Sequence, residues 1–115
     1  MENIRVVVKK AGAPAEIKWI VNELDTYKDI VGGWIETFGL TDEILIVLNE
    51  EGKINGLEPN LLIPCHGGAT EYIVGDVVFV SADGEDFGGI SDKHLLELMS
   101  IGLDIEGLDI TSLQP

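Results

Sequence analysis

Hydrophobic and polar positions along this chain change period several times, and each change marks an element. Ile4, Val6 and Val8 interleave with Arg5 and Val7, residues 9–14 break the pattern, and residues 15–19 resume it. Such alternation predicts a hairpin with Lys9 and Lys10 at its solvated turn end. Leu24, Tyr27 and Val31 then recur at helical spacing, so a helix is predicted over residues 23–31. Asn22 is placed to cap it, because its side-chain oxygen can accept from a free N–H one turn in. Gly32-Gly33 supplies the stop, since glycine tolerates positive φ. Residues 34–40 and 43–48 read as two further strands about a turn. The run Ile44-Leu45-Ile46-Val47-Leu48 has no polar face, which suits a strand covered on both sides and therefore central in its sheet.

Beyond it, Asn49-Glu50-Glu51-Gly52-Lys53 is a polar reverse turn, with residues 54–57 expected to pair back briefly. Residues 59–70, interrupted by Pro64 and Gly67-Gly68, read as a loop crossing the surface. A short extended piece at residues 71–74 leads to a second central strand around Val77-Val78-Phe79-Val80. Asp83-Gly84-Glu85-Asp86 is a turn. Ser91 caps a last helix whose Leu95, Leu98 and Met99 make a one-sided apolar stripe before Gly102. The expected fold is α+β: a mixed or antiparallel sheet of about five to six strands with two helices packed on one face. Residues 1–102 form one domain, and the acidic tail, residues 103–115, either packs on an edge or frays.

Composition narrows the class. With 115 residues, 45% hydrophobic content and mean hydropathy +0.23, the chain suits one globular domain despite a net charge of -14. Its apolar runs fall far short of the ~18 consecutive residues of a spanning helix, so no membrane association is expected. The start, Met1-Glu2-Asn3, is too acidic for a secretory leader. Cys65 is the single cysteine, which excludes an intramolecular disulfide and fits a reducing cytoplasm. Residues 1–57 hold 10 acids and 6 bases, for -4, whereas residues 58–115 hold 11 acids and only Lys93, for -10. A field of that sign repels phosphates, so direct nucleic-acid binding is disfavoured and the expected partner is another protein. The oligomeric state stays open.

Val31-Gly32-Gly33-Trp34-Ile35-Glu36, an apolar strand, Asn49-Glu50-Glu51-Gly52-Lys53, Gly56-Leu57, Pro59-Asn60 and then Gly75-Asp76-Val77-Val78-Phe79-Val80 follow one another in this order. The series resembles the domain-of-unknown-function family numbered 3846, over residues 4–99. The resemblance implies a small, soluble bacterial protein of the kind carried by phages, plasmids and other mobile elements, and it implies no activity. The tail after Gly102 and Cys65-His66-Gly67-Gly68 lie outside the matching strings.

Few residues suggest chemistry. The turn residues Asn49, Glu50, Glu51 and Lys53, with Asn60, are the candidate binding loop, although Asn, Gly and charged residues are also what a turn requires. Glu50 and Glu51 are adjacent, and neighbours in extended chain point to opposite sides, which argues against a paired acid and base. Cys65 and His66 are adjacent too, and a thiol and its base usually come from separate parts of a fold. His94, in the first turn of the last helix, is read as a neutral surface histidine. These three give no paired zinc spacing, so neither a metal nor another cofactor is expected. Gly67-Gly68 lacks the strand, helix and lysine of a phosphate loop. Trp19, Trp34, Phe38 and Phe79 are expected in the core or on sheet faces, with no basic groove to make them a stacking platform.

The leading functional expectation is a non-enzymatic accessory or protein-interaction module of a mobile element. Its acidic surface is assigned to Asp83, Glu85, Asp86 and Asp92. The alternative is a DNA mimic that occupies the basic groove of a nuclease or DNA-binding protein. The third is a small enzyme or ligand-binding protein that uses the loop from Asn49 to Asn60.

Overall fold

The structure, a computed structural model, describes residues 2–114. Its elements are β1 (Asn3–Lys9), β2 (Ala15–Val21), α1 (Leu24–Val31), β3 (Ile35–Gly39), β4 (Ile44–Asn49), β5 (Pro59–Pro64), β6 (Thr70–Val74), β7 (Val77–Asp83), β8 (Asp86–Gly88) and α2 (Asp92–Ser100). The fold is α+β. Six strands form an antiparallel sheet in the order β2-β1-β7-β4-β3, with β8 also paired to β7, and β5-β6 form a second, two-stranded sheet. The two unbroken apolar runs are interior strands, as their lack of a polar face requires: β7 lies at the centre and β4 beside it.

Strand alternation divides the core in two. Val7, Ile44, Ile46, Val77 and Phe79 point to one face, where Leu95 and Leu98 of α2 cover them together with Ile73 of β6. Val6, Val8, Val47, Val78 and Val80 point to the other face, under Tyr27 of α1. The expectation that both helices share one face is thereby corrected: α1 and α2 lie on opposite sides. A strand with no polar face needs a cover on each side, and one helix on each supplies it. Tyr27 and Val31 are the buried residues of α1, whereas Leu24 is exposed.

Three local readings also change. Residues 59–70 are a hairpin rather than a loop. Pro59 and Pro64 stand at the two ends of β5, and β5 pairs only with β6, so its prolines cost no interior ladder bond. Residues 54–57 do not pair back: the turn expected after β4 continues through residues 50–56, closed by Gly52 N–H to Asn49 O at 3.2 Å and Leu57 N–H to Gly52 O at 3.0 Å. Asn22 does not cap α1. The cap position belongs to Glu23, and Asn22 accepts from the Tyr27 hydroxyl at 2.6 Å while donating to Phe87 O at 2.8 Å. Ser91 does cap α2, accepting from His94 N–H at 3.2 Å.

The tail crosses the α2 side. Leu103, Ile105, Leu108 and Leu113 pack on that core, and Ile105 forms a parallel bridge with Ala15 of β2. Gln114 N–H donates to Asp92 Oδ2 at 2.9 Å. No helix among the described residues is long and apolar enough to cross a membrane.

Candidate functional site

The turn after β4 is built around Asn49. Its side chain is buried, donates through Nδ2 to Val31 O at 3.2 Å and accepts at Oδ1 from Glu51 N–H at 2.8 Å. The amide therefore joins the last turn of α1 to the turn that follows β4. The Gly-Gly pair before Trp34 fits the same join. Gly32 ends α1 with φ 82, and a Cβ on Gly33 would stand 3.0 Å from Asn49 Nδ2. The two strings that carry the family resemblance thus meet in space, and their shared residues act on the backbone.

Glu50, Glu51 and Lys53 are exposed around that turn. Asn49, Glu50 and Lys53 border a cavity of about 90 Å³ with Glu36, Glu71 and Tyr72, and Lys53 Nζ is 3.2 Å from Glu71 Oε1. Asn60 is not part of that cavity. It donates to Lys9 O at 3.0 Å and to Gly75 O at 2.7 Å and accepts from Lys9 Nζ at 2.8 Å, so it ties β5 to β1. Of the five residues expected to converge, three line one small cavity, and Asn49 and Asn60 are engaged in holding backbone.

Cys65 and His66 sit exposed at the β5-β6 turn beside a groove shared with Phe38, Leu40 and Ile63. His94 is carried by α2. It is buried rather than on the surface: its Nδ1 accepts from Ser91 N–H at 3.1 Å, and Nε2 faces Glu43 Oε1 at 3.5 Å. The ring completes the helix cap, which a histidine at that position can do because an unprotonated Nδ1 is an acceptor. Among the described residues, no group of three or more His, Cys, Asp or Glu side chains is arranged to hold a metal ion. Trp19 and Trp34 are both exposed, at 69% and 60%, while Phe79 is buried. Trp34 follows α1, with Lys28 Nζ lying 3.8 Å from its ring centroid. Trp19 is carried by the outermost strand, β2, so of the two placements expected of these rings it takes the sheet rather than the core, whereas Trp34 stands exposed between α1 and β3.

The carboxylates have a different geometry. β7 ends where β4 begins, since Ile44 pairs with Ser81 and Ala82 N–H donates to Glu43 O at 2.9 Å. β1 begins at the same end of the sheet, because it is antiparallel to β7, and β8 returns from Asp86 beside it. Exposed Glu2, Asp42, Glu43, Asp83, Glu85 and Asp86 consequently gather at one end of the sheet, drawn from both halves of the sequence. The adjacent cations are occupied. Arg5 Nη2 holds Asp92 Oδ1 at 2.7 Å, and Lys93 Nζ holds Glu43 Oε2 at 2.9 Å. Hydrogen bonds from Lys93 and then His94 hold the Glu43 carboxyl below the usual carboxylate range.

Asp92 stands apart from this group. Both of its oxygens are bonded, and the Gln114 N–H followed by the Arg5 guanidinium lowers its pKa. It fastens β1 and the tail to α2, whereas Asp83, Glu85 and Asp86 are exposed at the β7-β8 turn. Glu2, Asp42 and Glu43 escaped a reading that counted charge along the chain. Their signal was the strand order, which sequence alone leaves open.

No curated protein and no solved structure matches the chain significantly. Residues 4–100 match the family model described as Domain of unknown function (DUF3846), which spans most of the chain and includes the joined turns at Gly33 and Asn49. The chain belongs to that family of unknown function.

Proposed function

We propose that this chain is a non-enzymatic protein-interaction module, an accessory of a bacterial mobile element acting in the cytoplasm, which docks a basic protein through the carboxylate-rich end of its main sheet. The observation that carries the reading is the convergence of Glu2, Asp42, Glu43, Asp83, Glu85 and Asp86, where Lys93 offsets Glu43 and the nearby Arg5 is held by Asp92, which leaves the end strongly negative. Concentrated like charge of this kind speeds encounter with an oppositely charged surface and disfavours phosphate. The mobile-element setting follows from what the family resemblance implies. The cytoplasmic setting agrees with an exposed, unpaired Cys65.

Mimicry of a duplex is the narrower form of the same idea. It requires carboxylates spaced along an extended face, and these six gather at a sheet end, which favours docking. A ligand-binding role for the Asn49 loop ranks lower, because Asn49 and Asn60 are committed to the backbone and Lys53 to Glu71.

Affinity capture from host extract tests the proposal, with the parent chain compared against the combined Asp83→Asn, Glu85→Gln and Asp86→Asn variant. Basic proteins retained by the parent and lost by the variant are expected. Recovery of the same proteins by both would count against the acidic end.

A further inference from the structure

We infer that the outer edge of β2 receives an extended basic segment of the partner protein as an added strand, seated over Trp19. This rests on the reading of the chain as a docking module for a basic protein, and it names a second contact surface.

β2 is the outermost strand on its side, with β1 as its one strand partner among the described residues. Its register with β1 runs unbroken from Asn3 and Val21 to Lys9 and Ala15, with no bulge and no proline to spoil the edge. The edge already accepts a strand at one point. Ala15 N–H donates to Asp104 O at 2.9 Å, and Ala15 O accepts from Glu106 N–H at 2.7 Å, which makes the parallel bridge with Ile105. Backbone groups of alternate residues in a strand face the same edge. The N–H and C=O of Ile17 and Trp19 therefore point outward on the side that Ala15 shows, beyond the reach of the single tail bridge. An added strand would extend the sheet there through main-chain hydrogen bonds. Trp19, 69% exposed, offers it the largest apolar surface on β2.

Charge selects the occupant. Asp104 and Glu106 stand at the Ala15 end of this edge, and Glu2 stands at the other, where its carbonyl accepts from Asn22 N–H at 3.0 Å. Beyond Glu2 lies the carboxylate-rich end. Lys18, 3.5 Å from Glu16, is the cation on β2 itself, and Lys10 lies at the hairpin turn, but with Glu2, Asp104 and Glu106 at its two ends the edge stays net acidic. A second copy of a chain with net charge -14 is therefore disfavoured, and a lysine- or arginine-bearing segment meets acids at both ends. The opposite edge strand, β3, is shorter, at five residues against seven.

The test uses a short synthetic peptide of alternating lysine and valine with the full-length protein, followed by amide NMR and hydrogen exchange. Its controls are the same peptide N-methylated at alternate residues and a peptide with glutamate in place of lysine. Binding by the lysine peptide, with slowed exchange at the Ile17 and Trp19 amides, is expected. N-methylation and the glutamate exchange should each abolish that protection. Trp19→Pro removes an outward N–H without touching the ladder to β1, and should weaken binding by about tenfold. Trp19→Thr retains the N–H and should keep the amide protection with lower affinity, which covers the case in which the proline variant folds poorly. Equal binding of the N-methylated peptide, or shifts confined to Asp83, Glu85 and Asp86 with unprotected Ile17 and Trp19, would overturn the edge while leaving acidic docking intact. An absence of lysine-peptide binding at low salt would overturn both.

Discussion

Lys9 and Asn60 hold each other twice: Lys9 Nζ donates to Asn60 Oδ1 at 2.8 Å, and Asn60 Nδ2 donates back to Lys9 O at 3.0 Å. With the further bond from Asn60 to Gly75 O at 2.7 Å, one amide fastens the small β5-β6 sheet to β1 and to the turn between β6 and β7. Asn60→Ala should therefore cost about 1–3 kcal/mol, the usual penalty for stranding part-buried backbone acceptors. Chemical denaturation reads this directly. A shift no larger than that of Asn55→Ala, at an exposed turn position, would show that the fastening does not matter.

Gly33 and Asn49 form a second join, and it should be visible as coupling. Gly33→Ala places a methyl 3.0 Å from the Asn49 amide, which must then move from Val31 O. Each single change should destabilise. The pair Gly33→Ala and Asn49→Ala should be milder than the sum by at least about 0.5 kcal/mol, as expected of residues in contact. Strict additivity in the double-mutant cycle would contradict the join.

Phe79 lies in the central strand, 2% exposed, beneath α2 and the β5-β6 sheet. Phe79→Ala should cost about 3–5 kcal/mol, a large share of a small domain's stability. Leu45, half-buried on the α1 side, should cost less on truncation, because part of its side chain already meets water. Thermal unfolding of the two variants gives the order, and the reverse order would be evidence against the two-layer core.

Two titrations bound the stable pH range from opposite sides. Burial pushes the Tyr27 hydroxyl up to about 12, above its ordinary value of 10.0. Between those values the folded chain binds more protons than the unfolded chain. Its contribution is thus complete below pH 10 and fades as pH rises toward 12. Asp92 has the opposite sign. Its pKa is lowered by Gln114 N–H and Arg5, so its contribution is complete above the unfolded aspartate value and is lost as pH falls through the folded one. Stability profiles of Tyr27→Phe and Asp92→Asn should each flatten on one side only, alkaline and acid respectively. A variant that flattened neither limb would remove its group from the account.

Most elements were legible because their patterns were strong. The alternation in β1 and β2, the apolar runs of β4 and β7 and the Ser91 cap each carry one local physical signal. What local pattern could not convey was which face each helix takes, since an apolar strand accepts a helix on either side. The β5-β6 hairpin was masked by Pro59 and Pro64, which read as breakers although they sit at the ends of a strand with only one partner. At the candidate site, Asp83, Glu85 and Asp86 were visible as a charged turn. Glu2, Asp42 and Glu43 join them only through long-range pairing of β1, β4 and β7. Asn22 and His94 show the converse: Asn22 leaves the cap position to bond Tyr27 and the distant Phe87 O, and His94 turns inward to complete the cap of its own helix and face Glu43.

The central claim, that the carboxylate end steers a basic partner, is tested most directly by association kinetics of a captured partner with the parent chain and with the combined Asp83→Asn, Glu85→Gln and Asp86→Asn variant. The rate should be followed from low to physiological salt, where the screening length falls to ~8 Å. Steering charges act on encounter. The account predicts that the parent's association rate falls steeply with salt, that the variant's is slower and less salt-sensitive, and that dissociation changes little in either. Association rates indifferent to both salt and the triple substitution would contradict it.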